Sequence, residues 1–326
     1  MRTCSVAGVG SYVPERVLTN AELAKRLGTT EEWILTRTGI HERRIAGDNE
    51  CTSDMAAKAA SHAMAKASVT AEQIEMIIVA TNTPDMAFPA TACIVQSKLG
   101  VRHAPAFDIK AAGSGFIYAL EVGQQFIASQ ICETVLVVGA EKLSAMVDWQ
   151  DRNTSVLFGD GAGAAVLHHR PGSQGLLTTC MGGQGNMAGL LFMPAGGSQQ
   201  PASQHSVGAR GHFLRMDGRE TFKHAVHAMH NAALEALGRC QLSIHDIKCV
   251  IPHQSNRRII NAVTERLGAR PEQVFTNLHK YGNTSGASVA IALAEAVESS
   301  RIQRGDLLLL IAFGAGLTWG AAVIEW

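Results

Sequence analysis

The sequence has no surplus of either charge. Its 326 residues carry 28 Lys and Arg against 28 Asp and Glu, with no long run of one sign. This argues against a nucleic-acid-binding tail and a basic membrane-surface patch, so any basic site must be local. Paired cysteine is also missing. Cys4, Cys51, Cys93, Cys132, Cys180, Cys240 and Cys249 are odd in number, scattered and without a CxxC pair. A disulfide framework and a zinc or other metal site are therefore not expected, and a reducing compartment fits. No apolar run reaches membrane-spanning length, and MRTCSVAGVGSYVPERVLTN has no long apolar core after its charge. The expectation is a cytoplasmic, soluble protein with no membrane or nucleic-acid partner.

What is present is an alternation of helical and strand patterns in a chain long enough for a substantial core. SDMAAKAASHAMAKA is Ala-rich and helix-prone, whereas EMIIVAT, TVLVVGA and DLLLLIAFG are runs of the buried-strand type. The pattern predicts an α/β fold. It also repeats: AAKAASHAMAKASVTAEQIEMIIVA from Ala56 aligns without gaps to MHNAALEALGRCQLSIHDIKCVIPH from Met229, setting Ala63 on Ala236 and Ile74 on Ile247. The echo continues through Leu99-Gly100 and Leu267-Gly268, then through TVLVVGAEKLS and LLLLIAFGAGLT. Matches in the same order imply two related halves, read here as residues 1–171 and 172–326, with a site where their strand ends meet. The Gly-, Ser- and Gln-rich segment from about 172 to 211 is expected to be an ordered loop insertion over that site, because disorder would expose Leu190 to Met193.

Several motifs fall at those strand ends. VIPHQSNRRII puts His253 after a buried strand, and YGNTSGAS puts Asn283 before a helix start. An isolated His is more often a satisfied structural residue, and Asn, Thr and Ser suit helix caps. Their corresponding placement within one half shifts the reading toward a pair of hydrogen-bond donors suited to an enolate or oxyanion. AFGAGLTWG lets the backbone approach a ligand closely, or simply makes a tight turn. FGDGAGAAVL lacks GxGxxG spacing and precedes a strand, so nucleotide-cofactor binding is rejected and small residues packing beside the turn are expected. Arg37, Arg152, Lys223, Arg257 and Arg258 flank these motifs and suit phosphate contacts, although scattered Arg is commonly solvated surface.

Together, GVGSYVPERVLTNAELAK, EEWILTRTGIHERR, PHQSNRRII, YGNTSGASV, FGDGAGAAVL and AFGAGLTWG resemble β-ketoacyl-acyl carrier protein synthase III along essentially the whole chain. The resemblance implies a thiolase fold, two α/β halves in an α-β-α-β-α layering. It implies condensation of a short acyl-coenzyme A with malonyl-acyl carrier protein, with no cofactor beyond these thioester substrates, and a homodimer in fatty acid biosynthesis. Carried over by position, His253 and Asn283 stabilise the enolate after decarboxylation, and Gly314 contributes to an oxyanion hole with the backbone at 113. Trp33, Arg37 and Arg152 border coenzyme A. Gln254, Ser255, Asn256, Arg257, Arg258 and Lys223 face the carrier protein. Phe88, reaching across a dimer, and Leu157 shape the acyl pocket.

One stretch departs from that pattern. KAAGSGF has Gly113 where the family's nucleophilic cysteine is expected. Glycine cannot form an acyl-enzyme, and Ser114 would point about 100° away on the helix. With the rest intact, the sequence reads as a nucleophile-disabled variant, more economically a single deliberate substitution than gradual loss. Absence of the Cβ is expected to open room at the pocket floor. A smaller departure is Glu265, where many relatives carry a basic residue. The alternatives are a non-catalytic partner or acyl-binding subunit and a secondary-metabolite acyltransferase.

Overall fold

The computed structural model describes residues 3–172 and 175–326. The first half contains β1 (Cys4–Tyr12), β2 (Val17–Thr19), α1 (Asn20–Leu27), α2 (Glu31–Thr38), β3 (Glu42–Arg44), α3 (Thr52–Ala67), β4 (Met76–Ala80), α4 (Thr91–Leu99), β5 (Ala106–Ile109), α5 (Gly115–Ala128), β6 (Thr134–Lys142) and β7 (Asp160–His169). Then come β8 (Leu176–Gly183), β9 (Leu191–Phe192), α6 (Gln204–Gly208), β10 (Arg215–Met216), α7 (Gly218–Arg239), β11 (Cys249–Pro252), α8 (Arg257–Leu267), α9 (Leu278–Tyr281), α10 (Ser288–Glu298), β12 (Leu307–Gly314) and β13 (Thr318–Glu325).

The internal echo is structural. One sheet has the order β1-β7-β6-β4-β5, the other β8-β13-β12-β11, with β4 parallel to β6 and β11 parallel to β12. A parallel bridge from Val250 to Val274 adds a fifth position that matches β5. The two Leu-Gly steps end their helices identically, with left-handed caps at Gly100 (φ 68°) and Gly268 (φ 72°).

The layers follow from hydrophobicity. Helices α5 and α10 are apolar on nearly every face and lie between the two sheets. Helices α3 and α4 cover one outer face, α7 and α8 the other. The result is the expected α-β-α-β-α stack. The FGDGAGAAVL strand is β7, whose Gly163 lies so close to Ala290 of α10 that a Cβ would stand 2.5 Å from the Ala290 carbonyl carbon.

The 172–211 segment differs from its reading as one loop insertion. Residues Leu176–Gly183 form β8, an edge strand paired antiparallel with β13. Its sequence, LLTTCMGG, buries residues without a regular alternation and ends in two glycines at the start of a Gly-, Ser- and Gln-rich stretch, which reads as loop. Beyond it, β9 pairs with β10, and Leu191, Phe192, Arg215 and Met216 line the central cavity.

Candidate active site

Each half delivers one sharp turn to the seam. After β5 the chain makes a 3-10 turn over Ala112–Ser114 and enters α5; after α9 it makes a second over Ser285–Ala287 and enters α10. Ala112 (φ 46°) and Ser285 (φ 45°) are both left-handed, a strained state for residues with a Cβ. Gly113 and Gly286 therefore occupy equivalent places, and the two turns pack against each other.

His253 follows β11, where its N–H donates to Ile311 O at 2.7 Å. The ring is buried, and its Nδ1 lies 2.5 Å from Ser288 Oγ, at the first residue of α10. That oxygen also accepts from Gln254 N–H at 3.3 Å. A neutral ring that accepts the Ser288 hydroxyl proton at Nδ1 carries its own proton on Nε2. Burial depresses the His253 pKa to about 4, keeping the imidazole neutral. Sequence reading missed Ser288, whose signal is a serine at a helix start following an Asn-Thr-Ser turn.

Asn283 is held on three sides. Its N–H donates to Leu157 O at 2.8 Å, and its C=O accepts from Gly159 N–H at 3.0 Å. Its Oδ1 accepts from Ser285 N–H at 2.8 Å, which assigns the amide NH2 to the cavity that Asn283 lines.

Gly113 does not leave a hole. A Cβ there would lie 2.6 Å from His253 Nε2 and run into Phe313 O. A Cβ on Gly314 would stand 2.5 Å from Gly113 N, so the two backbones are in direct contact. The room expected at the pocket floor is thus filled by the imidazole and by the end of β12. Ser114 is buried, with Oγ 2.7 Å from Ala111 O and 2.8 Å from Thr318 Oγ1, and does not line the cavity.

The cavity, about 1070 Å³, runs from Gly113, His253, Asn283 and Gly314 past Leu157 to a basic mouth. Arg37, Arg152, Arg215, Arg219, Lys223 and Arg258 line it against one carboxylate, Asp217, which caps α7. Sequence reading did not single out Arg215 or Arg219. The Trp33 ring has Arg37 5.1 Å from its centroid and Arg152 5.3 Å from it. Ser255 and Asn256 also line the cavity, Asn256 donating to Arg37 O at 3.0 Å.

Three of the expected residues do not line this cavity. Gln254 is buried and faces inward, its Oε1 accepting from Asn277 N–H (3.0 Å) and Leu278 N–H (3.1 Å). It is a clasp between β11 and α9, not a carrier-facing group. Arg257 packs its stem on Gly39 and does not line the cavity. Phe88, expected to reach the acyl pocket of a second copy, is 87% exposed and lies outside this chain's own cavity. None of the seven cysteines lines the cavity, and no metal-binding cluster of His, Cys, Asp and Glu occurs among the described residues. No helix among them is long and apolar enough to cross a membrane.

Comparison with known proteins adds to this geometry. Residues 237–326 match the family described as 3-Oxoacyl-[acyl-carrier-protein (ACP)] synthase III C terminal, and residues 107–185 match 3-Oxoacyl-[acyl-carrier-protein (ACP)] synthase III. Beta-ketoacyl-[acyl-carrier-protein] synthase III of Caldanaerobacter subterraneus subsp. tengcongensis is 52% identical, covering 98% of this chain and 97% of its own. The Symbiobacterium thermophilum protein of the same name is 49% identical, covering 100% and 99%. The crystal structure of 3-oxoacyl-[acyl-carrier-protein] synthase III from Aquifex aeolicus VF5 superimposes with a TM-score of 0.92 at 46% identity, over 99% of this chain and 100% of that one. A thiolase-like double sheet, a His and Asn donor pair at its seam and full-length relatedness at this level lead to one conclusion: the chain belongs to the β-ketoacyl-acyl carrier protein synthase III family of condensing acyltransferases.

Proposed function

We propose that this chain binds acyl-coenzyme A and malonyl thioesters but carries out only the decarboxylation half of the family's chemistry. The observation that carries the reading is the His253 and Asn283 donor pair, intact beside a position with no side chain. In a malonyl thioester the bond to the carboxylate breaks, CO2 leaves, and the electron pair moves onto the thioester oxygen. Neutral His253 donates Nε2–H and Asn283 donates Nδ2–H to that enolate oxygen. A proton from solvent on the carbanion carbon completes an acetyl thioester. No acyl group is loaded at 113, because glycine offers no atom to hold it.

The mouth supports the substrate class. Trp33 with Arg37 and Arg152 suits an adenine ring and phosphates, and Lys223 and Arg258 suit the phosphate arm of a carrier protein. Strand β5 is an uncovered sheet edge next to exposed Met86 and Phe88, which supports a homodimer in which Phe88 enters the other chain's acyl pocket. Bacterial fatty acid synthesis in the cytoplasm is the setting that fits. A second reading, a non-catalytic acyl-binding partner subunit, is favoured by the filled space at Gly113. Incubation with malonyl-coenzyme A separates them: acetyl-coenzyme A appearing in a mass-resolved time course supports decarboxylation. Calorimetric binding without product supports the binding subunit, and no binding refutes both.

A further inference from the structure

Glu141, near the end of β6, is fully buried and unused by this chemistry. Its carboxylate meets only donors. Oε2 accepts from Asn82 N–H at 3.0 Å and from Thr83 Oγ1 at 2.9 Å, with Thr81 Oγ1 at 3.5 Å. Thr83 Oγ1 itself accepts from Lys142 N–H at 2.8 Å, which leaves its proton for Glu141. Oε1 accepts from Asn82 Nδ2 at 2.6 Å and from Gly286 N–H at 3.3 Å. The same Asn82 Nδ2 lies 3.5 Å from Ser285 Oγ.

These contacts join two segments that function requires. Gly286 belongs to the strained turn whose preceding residues, Asn283 and Ser285, close the hydrogen bond that orients the Asn283 amide. Thr81 to Thr83 open the loop that leads to Phe88 and is tied to α3 through Thr52 Oγ1 and Thr83 O, 2.6 Å apart. A left-handed Ser285 persists only where its surroundings over-determine it. The Gly286 and Asn82 bonds to Glu141 supply that constraint from the first half of the molecule. We infer that Glu141 is a positioning residue, which holds the Asn283 turn and the loop to Phe88 in one fixed relation without touching substrate.

Glu141→Gln tests this at constant volume. An amide has one accepting and one donating end, whereas every neighbour here donates. The side chain keeps the Asn82 N–H and Thr83 bonds by turning its oxygen to them, and its NH2 then opposes Gly286 N–H. The activity arm rests on the decarboxylation reading above. The expected result is a kcat for malonyl-coenzyme A decarboxylation lower by roughly tenfold, since misplacing a positioned group costs up to about 100-fold, with KM unchanged. Hydrogen exchange of the unmodified chain and the variant gives a second, independent arm. Faster exchange confined to the segments 283–287 and 81–88, with 253–256 unchanged, supports the inference, and Glu141→Asp recovers part of both signals. Unchanged exchange at Gly286, or faster exchange spread evenly over the chain, overturns it. If the unmodified chain does not decarboxylate, the functional reading fails and the exchange arm alone decides the role of Glu141.

Discussion

His253 Nε2 stands 2.6 Å from the place a Cβ on Gly113 would take. The imidazole and the Phe313 carbonyl together occupy the volume that any side chain at 113 would need, so the floor is closed there. Introducing one atom there is a packing problem before it is a chemical one.

Gly113→Cys is expected to gain acetoacetyl-carrier protein synthesis from acetyl-coenzyme A and malonyl-carrier protein. It should also lose stability, because the Phe313–Gly314 segment must retreat to admit the Cβ. Overpacking of this kind costs about 1–3 kcal/mol, read as a lower Tm. Gly113→Ala is the control that separates the effects, with a similar Tm loss and no condensation. Condensation by the unmodified chain would refute the assignment of Gly113 as the vacated nucleophile position.

The pH dependence follows from His253. Its folded pKa is depressed to about 4 by burial, below the ordinary 6.5. Protonation would leave Nε2–H in place but turn Nδ1 from an acceptor of the Ser288 hydroxyl proton into a donor, upsetting the contact that orients the ring, so decarboxylation should stay level from neutrality to about pH 5 and fall as pH approaches 4. Stability moves the same way. The unfolded chain takes up a proton at this residue below about 6.5 and the folded one does not, so folding is progressively disfavoured between those pH values, by about 3 kcal/mol at the lower end. His253→Asn should remove that part of the pH dependence of Tm, and an unchanged curve would show that the ring is not buried as neutral imidazole.

Much of this site was legible in the sequence, for a physical reason. Buried strands and Ala-rich helices carry their hydrophobic pattern locally, so the repeat from Ala56 and Met229 reported the double α/β architecture directly. His253, Asn283 and Gly314 sit at strand ends and turns, where the chain itself signals a break. What escaped depends on contacts between segments distant in sequence. Ser288 touches His253 across 35 positions, and Glu141 meets Gly286 across 145. Strand β8 escaped because its burial has no period-2 pattern and its place is fixed by pairing with β13, more than 130 residues away. Gln254 was assigned together with the whole segment up to Arg258, whereas its own side chain is buried and turns inward to α9.

The stack at the mouth predicts how coenzyme A is held. Arg152 lies 5.3 Å from the Trp33 ring centroid, too close for a planar ring stacked on both, so an adenine must displace the guanidinium to lie between them. Trp33→Ala is expected to weaken coenzyme A binding by roughly tenfold or more, in line with aromatic stacking worth about 1–3 kcal/mol. Turnover of a malonyl thioester on a short pantetheine arm, which has no adenine, should be unaffected. Equal losses for both ligands in calorimetry would move the adenine site elsewhere.

Phe88 gives a test of assembly. At 87% exposure it is the most exposed large apolar side chain among the described residues, and Met86 beside it is 49% exposed. Strand β5 offers the free edge of its sheet nearby, with every residue half-buried and none fully covered. An apolar patch next to an unpaired strand edge favours pairing with a second copy, which covers both at once. The unmodified chain is therefore expected to sediment as a dimer at micromolar concentration, and Phe88→Glu to shift it toward monomer while leaving the far-UV circular dichroism unchanged. If Phe88 also enters the other chain's cavity, acyl-coenzyme A binding should weaken in the same variant, whereas coenzyme A itself, which lacks the acyl group, should bind as before. A monomeric unmodified chain would refute the dimer, and a dimeric variant with intact acyl binding would place its interface away from Phe88.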